Sequence, residues 1–189
     1  MTAAVLAPSP DQAPPTLAVA AGRVLALAGA AFGLANLFQY GVQSGLLHLH
    51  PAVLSLSWPI TVGVFLFALA RLRRIGGDNG RRAAVWSRFC IAAMIGAALT
   101  LLAVSFVRQD FTIMFWMTPV GIGLYAVAWA TAAVRGRRGW MMAPALGAVC
   151  AVGGAVSVLG TPQQYLVYAV ALFAFVLIPG AWLASGRKA

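Results

Sequence analysis

Residues 89–107 read FCIAAMIGAALTLLAVSFV, an apolar run that carries no charge between Arg88 and Arg108. A helix needs about 20 mostly apolar residues, each rising ~1.5 Å, to cross the ~30 Å hydrocarbon core of a bilayer. Five more runs have this character: 24–47, 52–70, 111–134, 141–159 and 163–184. Stretches within them, such as 60–69 and 167–178, are apolar on every side. A transmembrane barrel strand would instead alternate over ~10 residues. The pattern predicts an all-α, polytopic membrane protein, a bundle of six transmembrane helices.

Composition points the same way. The chain has 189 residues, 62% hydrophobic and 8% charged, with a mean hydropathy of +0.90. A soluble domain carries about 25% charged residues, so this chain has too little polar surface to cover itself in water. One six-helix domain is expected over 17–189. Residues 1–16 hold Pro8, Pro10, Pro14 and Pro15 among Ala, Ser and Thr, which reads as a disordered Pro/Ala-rich cytoplasmic tail. The tail lacks the basic start of a signal peptide and the first cation is Arg23, so the first run is expected to be a retained helix.

The net charge of +10 comes from 12 Arg and Lys188, set against Asp11, Asp78 and Asp110 with no Glu. Such a balance can mark a nucleic-acid binder, but here the cations sit in short clusters between apolar runs. Arg71, Arg73, Arg74, Arg81, Arg82 and Arg88 join the second and third runs, and Arg135, Arg137 and Arg138 the fourth and fifth. Arg23 precedes the first run and Arg187 and Lys188 follow the sixth, which leaves only Arg108 on the opposite side. The positive-inside rule then places both termini in the cytoplasm and requires an even number of spans. Trp86, Trp140 and Trp182 fall near the cytoplasmic ends, and Tyr40, Trp58, Trp116 and Tyr165 near the others, as interfacial aromatic belts do. The preference for Arg over Lys with abundant Ala points to a bacterial plasma (inner) membrane. Arg71, Arg73, Arg74, Arg81 and Arg82 would meet anionic lipid headgroups there. No nucleic-acid partner is expected.

Local signals refine the helices. Gly76-Gly77-Asp78-Asn79-Gly80 reads as a flexible connection. Thr161-Pro162-Gln163-Gln164 reads as an N-cap, a Pro at the first helical position and a capping-box Gln. Pro59 and Pro119 fall inside the second and fourth helices and are expected to kink them in their outer thirds. Cys90 and Cys150 differ in expected depth by roughly 10 Å, too far for a disulfide.

The first helix carries the most polar face. Asn36, Gln39, Tyr40 and Gln43 recur at spacings of three and four near its outer end. A polar side chain is costly against lipid, so this face should point into the bundle or a water-filled cavity. Small residues four apart, Gly29/Gly33, Gly41/Gly45, Ala92/Gly96 and Gly147/Ala151, allow close helix packing within the bundle or against another chain. Arg108-Gln109-Asp110 is the outer charged group and would form a local ion pair. His48 and His50 flank Leu49 in an outer connection, too few ligands for a zinc site. Ser44, Ser55, Ser57, Ser105 and Ser157 lack a positioned base, and no Gly-x-Ser-x-Gly elbow or phosphate loop occurs. Neither a cofactor nor a metal is expected.

These features predict a non-enzymatic, permease-like or small neutral-solute-binding protein. Its outward-facing pocket would be lined by Asn36, Gln39, Tyr40, Gln43, Gln163 and Gln164, with Arg108 and Asp110 at its mouth, and gated by the two prolines. The alternative is a membrane interaction or regulatory subunit, a homo-oligomer or a partner of another membrane chain, packed through its Gly/Ala faces.

Overall fold

Residues 17–23 are Leu, Ala, Val, Gly and Arg behind Thr16. Thr16 Oγ1 accepts the Val19 N–H at 3.3 Å, a side-chain cap that starts a helix on Ala- and Leu-rich sequence. In the computed structural model, which describes residues 15–50 and 52–186, α1 therefore spans Leu17–Gln43. It begins seven residues ahead of the apolar run at 24. Residues 1–14 of the expected tail over 1–16, and Arg187 and Lys188, lie outside the described residues.

The remaining helices are α2 (Val53–Ile75), α3 (Gly77–Arg108), α4 (Met117–Gly136), α5 (Met142–Ser157) and α6 (Gln163–Ala184). No strand occurs among the described residues, and six helices are long and apolar enough to cross a membrane. That architecture is compatible with an integral membrane protein. The bounds of α6 match those read from sequence.

Three further boundaries differ from the sequence reading. The glycine-rich connection at 76–80 is not a loop: α2 ends at Ile75 and α3 starts at Gly77. Gly77 alone takes a positive φ, of 56°, there, a conformation glycine adopts without a Cβ clash. Asp78 lies in the first turn of α3, where the positive end of the helix dipole favours an anion. Gly80 lets α3 approach the end of α2; a Cβ on it would lie 3.2 Å from the Leu72 carbonyl. At ~1.5 Å per residue α3 is about 48 Å long, longer than a ~30 Å hydrocarbon core.

Pro119 is the second difference. It is not in the interior of an α-helix, because 3₁₀ turns cover Phe111–Trp116 and α4 starts at Met117. Pro119 is then the third residue of α4, where the missing N–H would have no intrahelical acceptor. Pro59 does lie inside α2. Third, α5 is preceded by a 3₁₀ turn at Gly139–Met141 and ends at Ser157.

The helices alternate in direction, and contacts tie the Arg-rich ends together. Asn79 Nδ2 donates to the Pro15 carbonyl at 3.0 Å, joining the starts of α1 and α3. The Arg135 guanidinium lies 5.5 Å from the centre of the Trp86 ring, joining the end of α4 to the start of α3. A Cβ on Gly22 would collide with Ala184 at the end of α6.

Helix α1 is the central element and touches α2, α3 and α6. Its seam with α6 is made by glycine. The facing positions Gly22–Ala184, Ala26–Gly180, Gly29–Leu177 and Gly33–Phe173 run in opposite directions with matched steps of four, three and four residues. This is the spacing of two helices crossing at a shallow angle, with backbones brought close by missing side chains. On one side of the seam, Ile122, Ala126, Ala148, Ala155, Tyr168 and Leu172 form a core between α4, α5 and α6. On the other, Val24, Ala28, Phe65, Leu69, Ala83 and Ala84 join α1 to the lower halves of α2 and α3.

Candidate functional site

The polar face of α1 divides along its length. Asn36 is buried to 1% exposure, and its Nδ2 donates to the Phe32 carbonyl one turn back at 2.8 Å. Gln39 is also buried, Tyr40 is half-buried, and Gln43, on the last turn, is exposed. The amide of Gln39 makes no hydrogen bond among the described residues. A residue on the expected face is therefore buried only while α1 is flanked by neighbours.

The start of α6 uses one of its two glutamines locally. Gln164 is buried, and its Oε1 accepts the Gly160 N–H at 3.1 Å. Gln163 is exposed. Thr161 does not cap α6: its hydroxyl donates back to the Val158 carbonyl at 2.7 Å.

Asp110 acts as a cap. Its Oδ1 accepts the Thr112 N–H at 2.9 Å and the Thr112 hydroxyl at 2.6 Å, opening the 3₁₀ turns. These two bonds, the hydroxyl's foremost, hold its carboxyl below the usual carboxylate range. Thr112, rather than Arg108, is its hydrogen-bond partner, and both Arg108 and Asp110 are exposed. His50 Nδ1 accepts the Ala52 N–H at 3.2 Å at the start of α2. Both histidines are exposed, and no three His, Cys, Asp or Glu side chains converge on a metal-sized site among the described residues.

Two crevices stand out among the described residues, and both are narrow. One lies beneath Tyr125 and Tyr168, walled by Ile122, Leu172 and Phe175. The other lies at the Arg-rich end between Pro15, Arg23, Leu72, Gly76 and Gly80. Neither is lined by the eight polar residues read from the sequence. Cys90 and Cys150 are both free thiols. Arg71, Arg73, Arg74, Arg81 and Arg82 are all exposed around the α2–α3 turn.

The small-residue pairs have different surroundings. Gly29 and Gly33 are consumed by the α1–α6 seam, and Gly147 by Phe175 of α6. Gly41 meets Leu47 of the following loop, and Gly45 turns the chain with φ 78°. Ala92 and Gly96 are exposed, and a Cβ on Gly96 would meet nothing within 4 Å. At 3.6 residues per turn, Ala83, Met94, Leu101 and Ser105 form the face of α3 turned to the bundle. Ala92, Gly96, Thr100 and Ala103 fall on the opposite face, and all four are exposed. Only 6% of the apolar window of α3 and 11% of that of α2 is buried, against 22–39% in the other four spans.

One feature was missed in reading the sequence. Pro179 interrupts α6, whose middle, Phe173–Leu177, is a π-turn between α-helical segments Gln163–Leu172 and Ile178–Ala184. Trp129 Nε1 of α4 donates to the Phe175 carbonyl at 2.7 Å. The available signal was Pro179 itself, which deprives the carbonyl four residues earlier of its donor. The Trp129 ring lies 6.2 Å from Trp140, and Trp140 lies edge-on to Trp182 at 4.7 Å.

Comparison with family models, with curated proteins and with solved structures gave no match.

Proposed function

We propose that the protein is a non-enzymatic membrane interaction subunit. It spans a bacterial plasma membrane six times with both termini in the cytoplasm, and packs the outer face of α3 against a transmembrane helix of another chain. The observation that carries this reading is the Ala92/Gly96/Thr100/Ala103 face, exposed on the least buried span. Glycine within a helix costs about 1 kcal/mol relative to alanine, and a lipid-facing glycine gains no contact in return. A helix that must come close to another backbone gains from it directly. The Arg-rich end supports the cytoplasmic placement, and Arg71, Arg73, Arg74, Arg81 and Arg82 would hold anionic headgroups beside the contact.

The experiment is native mass measurement after gentle extraction from the source membrane. Wild type should run as a complex heavier than the 19.7 kDa chain, and Gly96→Val should run as the single chain with unchanged helicity. A single chain in wild type would contradict the reading.

One observation favours a permease-like or small neutral-solute-binding role instead. Gln39 is buried at 6% exposure with its side-chain amide unbonded among the described residues, one turn from Asn36. An accessible, unbonded amide on an otherwise buried residue is available to a neutral polar solute entering from the Arg-poor end. On that reading Gln39→Leu abolishes binding or uptake and leaves the bundle folded. Unchanged uptake, or loss of the fold, would count against it.

A further inference from the structure

We propose that Trp129 is a latch on a hinge built into α6, holding closed the break that Pro179 makes in its backbone ladder. The hinge follows from the backbone. Pro179 has no N–H, so the Phe175 carbonyl loses the donor that an uninterrupted α-helix would supply four residues on. The Ile178 N–H donates five residues back, to Phe173, and so is also diverted from its α-helical acceptor, the Ala174 carbonyl. The ladder of α6 is therefore weakened at two successive carbonyls inside an apolar span, where water cannot replace the lost donors.

The latch follows from what meets that gap. Trp129 Nε1 donates to the Phe175 carbonyl at 2.7 Å, and this is the donor Pro179 cannot provide. Among the described residues this is the one side-chain hydrogen bond that joins two helices; the other long-range one, from Asn79, reaches Pro15 ahead of α1. Both Trp129 and Trp140, the latter on the turn between α4 and α5, grip the lower half of α6. Trp140 does so through its edge-on contact with Trp182. The Trp140 Nε1 is buried without a partner among the described residues, and its contact with Trp182 is one of ring packing. Across the hinge, α1 meets α6 through glycine on both sides, at Phe173 and Leu177 above and at Gly180 and Ala184 below. The upper half of α6 is held by the core around Tyr168 and Leu172. The lower half is held by its seam with α1, and the break itself is closed by Trp129.

The test is amide hydrogen exchange on the full chain in lipid nanodiscs. Trp129→Phe keeps an aromatic ring and removes the donor. It should speed exchange at least tenfold across residues 176–184 while leaving α2 and α3 unchanged. Pro179→Ala restores a backbone donor for Phe175. The Trp129→Phe/Pro179→Ala protein should therefore return to within about twofold of wild type. Unchanged exchange in Trp129→Phe would overturn the proposal. So would a double variant no better protected than the single one, because that outcome assigns Trp129 to ring packing. Should Trp129→Phe fail to fold, recovery of folded protein by adding Pro179→Ala supports the latch, and failure to recover it overturns the latch.

Discussion

Glycine does opposite work at different positions of this chain. At Gly29 a Cβ would lie 2.5 Å from the Leu177 backbone nitrogen, whereas at Gly96 it would meet nothing within 4 Å. Substituting alanine separates the two roles. Gly29→Ala must push α1 from α6, a backbone contact that cannot rotate away, and should destabilise the bundle by about 1–3 kcal/mol. Gly96→Ala should leave the isolated chain as stable or slightly more so. Reversible unfolding in mixed micelles measures both, and equal effects would show that the seam is looser than described. The polar residues make a similar contrast. Asn36 and Gln164 are buried with their own backbone partners, while Gln43 and Gln163 are exposed. Helical spacing aligned Asn36, Gln39, Tyr40 and Gln43 on one face, because periodicity is a local property; the first two are buried and Gln43 is exposed. Whether a polar atom faces a cavity or a backbone carbonyl depends on neighbours brought from elsewhere in the chain, and no spacing rule reports that.

At the scale of elements, the charge-free runs were legible because each is nearly the length a bilayer demands, and the bounds of α6 coincide with its run. Ends were harder wherever a helix outgrows its apolar stretch. Helix α1 begins at Leu17 because Thr16 caps it, and α3 extends through Arg81, Arg82 and Arg88 to Gly77. Charge ends a membrane span but does not end a helix. The composition of residues 76–80 suggested a loop, yet only Gly77 there needs a left-handed backbone. Gly77→Ala should therefore cost about 1–2 kcal/mol and lower the unfolding temperature measured by circular dichroism. Gly139→Ala, where φ is not positive and a Cβ would meet open space, should have little effect. The break in α6 was legible in principle from Pro179. Its partner Trp129 lies 46 residues away and could not be paired with it from sequence.

The whole molecule is asymmetric. Helices α1, α4, α5 and α6 share seams and cores, whereas α2 and α3 present most of their apolar surface outward. In lipid that surface is satisfied either by acyl chains or by another helix, and the small residues of α3 favour the helix. Phe89 lies two turns from Gly96 on the same outer face and is 71% exposed. The most direct measurement is site-specific photo-crosslinking in the source membrane from a photoreactive phenylalanine at position 89. A discrete protein adduct that disappears when Gly96→Val is added is the expected result. Adducts with lipid alone, or a protein adduct indifferent to Gly96→Val, would contradict the assignment of this face to a partner helix.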